Sequence, residues 1–190
     1  HPMQVVRHYE IPNWVGKQSL FIACSYSGNT EETVSALEKA IRRGAQILAV
    51  TSGGRVKELA DEHNFDCIMI PGGLPPRAAL GYSFVPLFRI LRYLGLTEEG
   101  EEVLDETYQM MKANVQEYSK LEGNEALDLA HKLKDTLPII YSDSKLLEAV
   151  NIRWRGQLEE NAKILCYGNV FPEMNHNEIV GWKGDYSKLL

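Results

Sequence analysis

Cysteine is sparse in this chain of 190 residues: only Cys24, Cys67 and Cys166, scattered, odd in number and without CxxC spacing. That argues against a disulfide framework and a zinc site, and fits a reducing compartment, the cytoplasm. Basic charge is in deficit, with 20 Lys and Arg against 26 Asp and Glu and a net charge of -6. Such a chain gains nothing from counterion release, so no nucleic-acid partner is expected. An anion site must then be built locally, from main-chain N–H groups, hydroxyls and a few cations. No apolar run reaches membrane-spanning length, so no membrane partner is expected, and His1–Gln4 carries no signal-peptide core. The five histidines do not group with carboxylates at metal-ligand spacing. Because the chain does not start with Met, it is expected to be a fragment or a processed product.

What is present is an ordinary globular composition, 44% hydrophobic and 24% charged, with enough length for one domain or two small ones. Ser19–Cys24 is a short continuous apolar run and reads as a strand buried on both faces. Residues 31–43 turn helical, with Val34, Leu37, Ala40 and Ile41 at spacings of three and four and Gly44 past the end. Strand 46–51, helix 56–63 and strand 66–71 follow. Strands that alternate with helix-length crossovers predict an α/β fold with a parallel sheet.

Residues 78–94 form a strongly apolar helix, suited to a core or an interface. Residues 97–123 are acidic and read as a solvated linker helix. After Asn124 the alternation restarts, with helix 126–134, strand 137–142, helix 145–163 and a further strand from Ile164. On that last helix Leu147, Val150, Trp154, Leu158, Ala162 and Leu165 recur at spacings of three and four, and Leu158 and Ala162 define its buried stripe. The organisation expected is therefore a first domain over 1–96, a helical linker over 97–123 and a second domain over 124–190.

Ser25-Tyr26-Ser27-Gly28-Asn29-Thr30 is the most informative stretch. It joins a buried strand to a helix, and in parallel sheets ligands gather at that end of the strands. A helix start aims its N–H groups and positive dipole end there. Three hydroxyls and a close-approaching glycine suit phosphate oxygens. The competing reading is a helix cap, with Thr30 and Thr33 or Ser27 and Thr30 serving the helix alone. No GKS or GKT follows, so it is not a Walker loop, and there is no GxGxxG, so a dinucleotide is not favoured.

Three other segments bear on chemistry. Arg77 follows Gly72-Gly73-Leu74-Pro75-Pro76 at the end of a strand, where a cation would face the ligand crevice, or pair with a surface carboxylate. Glu159 and Glu160 are neighbours on a helix, so at most one faces a given site. Asn175-His176-Asn177-Glu178 is a polar cluster flanked by Met174, Ile179, Val180 and Trp182, in which Asn and Glu neighbours would orient the imidazole.

The Ser25–Thr33 loop resembles the phosphosugar-binding motif of the sugar isomerase (SIS) domain. Taken with Gly73–Ala78, Gln157–Lys163 and Phe171–Ile179, the chain resembles the bifunctional phosphoglucose/phosphomannose isomerase family from Ser25 to Trp182. The resemblance implies two SIS-type parallel-sheet sandwiches with helices on both faces. It implies that Ser25, Ser27 and Thr30 bind the phosphate of glucose 6-phosphate, fructose 6-phosphate or mannose 6-phosphate. It further implies that Arg77 stabilises an enediolate, that Glu160 is the general base, and that His176 assists ring opening from the neighbouring subunit of a homodimer. No cofactor or metal enters this chemistry. The family is longer at both ends, so both sandwiches are expected to be incomplete. Its C-terminal catalytic lysine is not matched by Lys188, whose context differs. The alternative is a non-catalytic sugar-phosphate-binding module or an inactive truncated relative, which would need neither Glu160 nor His176.

Overall fold

The computed structural model describes residues 2–186. They form two compact units that divide between Glu106 and Thr107. In the first, β1 (Leu20–Ser25), β2 (Gln46–Thr51) and β3 (Asp66–Met69) alternate with α1 (Glu31–Arg42) and α2 (Gly54–His63), followed by α3 (Leu80–Tyr93). The sheet is parallel in the order β1-β2-β3, and its register sets Ser25 beside Thr51 and Thr51 beside Met69. The loops that leave the three strands therefore start from one level.

The period-two alternation of the strands sorts their side chains between two faces. Phe21, Ala23, Ile47, Ala49 and Cys67 pack with Leu37 of α1 and with Val56 and Leu59 of α2. Leu20, Leu48 and Ile68 face the other way, where with Val85 and Ile90 of α3 they line a cleft of about 650 Å³. Helices thus lie on both faces of this sheet. β1 is an edge strand whose burial alternates, with Ala23 and Ser25 buried and Leu20 and Cys24 exposed. This corrects the expectation of burial on both faces: an apolar run is compatible with one lightly covered face.

Residues ahead of β1 join this core, which the sequence pattern did not announce. Ile11 and Val15 are buried against Ala36 and Ala40 of α1. The segment is clamped from α1, Lys39 Nζ donating to Tyr9 O at 2.7 Å, and just past it, Arg43 Nη1 donating to Pro12 O at 2.7 Å.

α4 (Glu102–Tyr118) contains the boundary between the units. In the second unit α5 (Glu125–Leu133) leads to β4 (Ile139–Asp143), α6 (Glu148–Gln157), β5 (Tyr167–Phe171) and α7 (Glu178–Gly181). β4 and β5 pair in parallel. Asn124 caps α5, its Oδ1 accepting from Ala126 and Leu127 N–H. The helix expected over 145–163 is found from Glu148 onward without a break, but its hydrogen-bonding pattern changes after Gln157. Residues Leu158–Ala162 form a π-helical turn, and Lys163 ends it in the left-handed conformation with φ 60°.

The predicted apolar stripe on α6 is also corrected. Leu158 is only half-buried and Ala162 is exposed, as are Leu147, Val150, Trp154 and Leu165, and the buried residue of the helix is Asn151. Its Nδ2 donates to Ile140 O, Ser142 Oγ and Asn169 O at 3.0–3.3 Å, and its Oδ1 accepts from Arg155 Nε at 2.9 Å. Polar pairing of Asn151 to strand carbonyls ties α6 to the β4–β5 pair. Among the described residues, no helix is long and apolar enough to cross a membrane.

Candidate functional site

The loop from β1 to α1 is held by its own hydroxyls. Ser25, 6% exposed, has its Oγ 2.9 Å from Thr30 Oγ1 and accepts from Gly28 N–H at 3.1 Å. Ser27 Oγ accepts from Asn29 N–H at 3.2 Å. Gly28, with φ +71°, takes a conformation that disfavours side chains.

Thr30 occupies the N-cap of α1, yet its side chain makes no cap hydrogen bond. Its hydroxyl turns to Ser25 instead. A cap that served only the helix would bond the N–H groups of its first turn. Here no cap side chain covers them, and Ser27 and Thr30 are exposed beside them. Glu31 and Glu32 in that turn complement the helix dipole, and they also keep the loop free of net positive charge.

The next loop locks onto this one. Tyr26 O accepts from Ser52 N–H at 3.0 Å and from Ser52 Oγ at 2.6 Å. Val56 N–H donates to Gly28 O at 3.0 Å, and Arg55 N–H donates to Asn29 Oδ1 at 2.9 Å. A Cβ on Gly28 would lie 1.8 Å from Gly53 O, and one on Gly54 would lie 2.5 Å from Ser27 O. The sequence marks Ser52-Gly53-Gly54 as a turn but gives neither it nor the Tyr26 side chain a part in the site; the paired glycines were the available signal.

Arg77 sits in a short 3₁₀ turn, Pro76–Ala78, after β3, and is half-buried. Its loop is joined to the first one, since Leu74 N–H donates to Tyr26 Oη at 3.0 Å. Ser25, Ser27, Thr30 and the loop of Arg77 therefore belong to one end of one sheet.

Glu160 and His176 belong to the second unit. Glu160 is exposed in the π-helical turn, and its main-chain O accepts from Lys163 Nζ at 2.6 Å. His176 is exposed and closes a 3₁₀ turn, Glu173–His176, anchored by buried Met174. Asn177 and Glu178 do not serve the imidazole as expected. Asn177 Oδ1 accepts from Glu178 N–H at 2.7 Å. The Glu178 carboxylate accepts from Tyr141 Oη, and from Asn169 Nδ2 at 2.7 Å. Trp182 Nε1 donates to Tyr141 Oη at 2.7 Å. The hydrogen bond from Tyr141, then that from Asn169, hold the Glu178 carboxyl below the usual carboxylate range. Glu160 is reached at the end where β5 begins, His176 at the end where β5 finishes. Lys188 lies outside the described residues.

Burial raises the thiol pKa of Cys67 and Cys166, so neither offers a thiolate near neutral pH. Among the described residues, no group of three or more His, Cys, Asp or Glu is placed to hold a metal ion.

Residues 122–189 match the family model described as bacterial phospho-glucose isomerase C-terminal SIS domain. The chain is 48% identical over 184 residues to the bifunctional phosphoglucose/phosphomannose isomerase of Caldicellulosiruptor bescii, covering 95% of this chain and 54% of that protein. To the protein of the same name from Thermoplasma volcanium it is 40% identical over 189 residues, covering 98% and 57%. The chain spans about half the length of the curated relatives it matches. In fold it is similar to the C-terminal domain of glucosamine-fructose-6-phosphate aminotransferase from Francisella tularensis, with a TM-score of 0.65 at 18% identity over 90% of this chain and 50% of that one.

Proposed function

We propose, for a chain that belongs to the bifunctional phosphoglucose/phosphomannose isomerase family over about half that family's length, that the protein interconverts glucose 6-phosphate and fructose 6-phosphate, and also isomerises mannose 6-phosphate. The observation that carries this reading is the Ser25–Thr30 loop. Its helix start is left without a side-chain cap, because Thr30 Oγ1 is paired with Ser25 Oγ, while Ser27 and Thr30 stay exposed. N–H groups and hydroxyls gathered in this way suit the oxygens of a phosphate.

In this reading Ser25, Ser27 and Thr30 hold the phosphate. His176 exchanges the ring-oxygen proton as the hemiacetal opens. The Glu160 carboxylate removes the proton from C2 and returns it to C1. Arg77 places its guanidinium against the developing enediolate. Oxidation of one carbon and reduction of its neighbour balance within the sugar, so no electron acceptor is consumed.

The chain is read as two SIS-type sandwiches acting as a homodimer in the cytoplasm. Support for the dimer comes from connectivity: in the parallel β4–α6–β5 crossover Glu160 and His176 are reached at opposite ends of β5. A site that uses both is reached more easily when His176 comes from a second subunit.

The test is a coupled assay of glucose 6-phosphate formation from fructose 6-phosphate, on the protein and its Glu160→Gln variant. Activity that falls about 10²- to 10⁴-fold in the variant identifies an isomerase with Glu160 as its base. Saturable calorimetric binding of fructose 6-phosphate without turnover points to a non-catalytic binding module. Neither turnover nor binding overturns the reading.

A further inference from the structure

The residue between the two serines of the phosphate loop joins all three strand-end loops. Tyr26 leaves β1 and is half-buried. Its carbonyl takes two hydrogen bonds from Ser52 at the end of β2, at 3.0 and 2.6 Å. Its hydroxyl accepts from Leu74 N–H, beyond β3, at 3.0 Å. The contact spans 48 residues of sequence and meets the third loop three residues before Arg77.

The loop after β3 is soft on one side of that contact and stiff on the other. Gly72 and Gly73 precede it. Gly73 has φ +90° and no atom within 4 Å of where a Cβ would stand. Pro75 and Pro76 follow, with φ fixed by their rings. They lead directly into the 3₁₀ turn, in which Ala78 N–H donates to Pro75 O at 2.9 Å and Ala79 N–H to Pro76 O at 3.2 Å. A displacement at Leu74 is thus absorbed upstream by glycines and passed on downstream to Arg77.

We propose that Tyr26 is a positioning residue: its hydroxyl, by holding Leu74, sets where Arg77 stands relative to the phosphate loop. The inference rests on the functional reading above, in which the loop holds phosphate and Arg77 faces the reacting carbons. The serine and threonine hydroxyls fix the phosphate whether or not Leu74 is held. The Tyr26 hydroxyl therefore serves the chemical step and not the binding of phosphate.

The experiment compares Tyr26→Phe, Arg77→Ala and the double variant in the full-length protein. The readouts are kcat and KM for fructose 6-phosphate, competitive inhibition by inorganic phosphate, and hydrogen exchange of the 72–78 segment. Tyr26→Phe is expected to lower kcat about tenfold or more, since small misplacements of a catalytic group are costly. Phosphate inhibition should change less than about twofold, and exchange at Leu74 should accelerate. In the Arg77→Ala background the same substitution should have little further effect. Additive losses, or phosphate inhibition weakened as much as kcat falls, overturn the proposal, as does unchanged exchange at Leu74. A protein whose turnover is indifferent to Arg77→Ala shows that the functional reading failed; accelerated exchange in Tyr26→Phe would then still support the tie between the loops.

Discussion

Thr30 Oγ1 lies 2.9 Å from Ser25 Oγ, although Thr30 stands at the cap position of α1 and Ser25 ends β1. The two hydroxyls close the loop on itself and leave the first turn of the helix without a side-chain cap. Ser25→Ala is expected to weaken inhibition by inorganic phosphate about tenfold, equivalent to roughly 1.4 kcal/mol. It should cost the fold only about 1 kcal/mol, because Gly28 N–H also reaches Ser25 O at 3.2 Å. Inhibition kinetics and urea denaturation separate the two effects.

Gly28→Ala should be far worse than Gly95→Ala. Both glycines have positive φ, +71° and +67°, and so share the conformational penalty. Only at Gly28 would the new Cβ meet main chain, at 1.8 Å from Gly53 O, whereas nothing lies within 4 Å at Gly95. A loss of about 3 kcal/mol or more is expected at Gly28 and about 1 kcal/mol at Gly95, measured by urea midpoints.

On α6 the usual ranking of apolar and polar substitutions should invert. Asn151→Ala removes the donors to Ile140 O and Asn169 O from a residue only 3% exposed, and should cost about 2–4 kcal/mol. The neighbouring Val150→Ala changes a side chain that is 56% exposed and should stay within about 0.5 kcal/mol. Equal losses at the two positions would contradict the assigned role of Asn151.

The Tyr141–Glu178 pair predicts a plateau of stability across neutral pH. Glu178 has a lowered folded pKa, so its contribution is present above the unfolded value, about 4.3, and is lost as pH falls through the folded one. Burial, and then the hydrogen bond to Glu178, raise the folded pKa of Tyr141. Its contribution is present below the unfolded value, about 10, and is lost as pH rises through the folded one. Thermal melts of Tyr141→Phe against the parent should show the largest difference between about pH 5 and 9, narrowing on the acid side.

The strands and helices of the first unit follow from patterns within a few residues. The apolar runs of β1, β2 and β3 and the three-and-four spacing of α1 predict these elements to within a few residues. The same reasoning misread α6, because a helical apolar stripe does not say what faces it. It passed over Ile11 and Val15, whose four-residue spacing lies in a segment without regular structure, yet both are buried on α1.

For the candidate site, the chemistry available at the first loop is legible in the order of its residues. The hydroxyls of Ser25, Ser27 and Thr30 lie within six consecutive residues, and a strand-to-helix turn must bring them together. How that loop is held is set by contacts between segments far apart in the chain. The contacts of Tyr26 with Ser52 and Leu74 span 26 and 48 residues, and the approach of Gly28 to Gly53 depends on the register that sets Ser25 level with Thr51. Local patterning specifies which groups a turn can offer. Which groups then meet depends on the pairing of strands distant in sequence, and no short-range periodicity encodes that pairing.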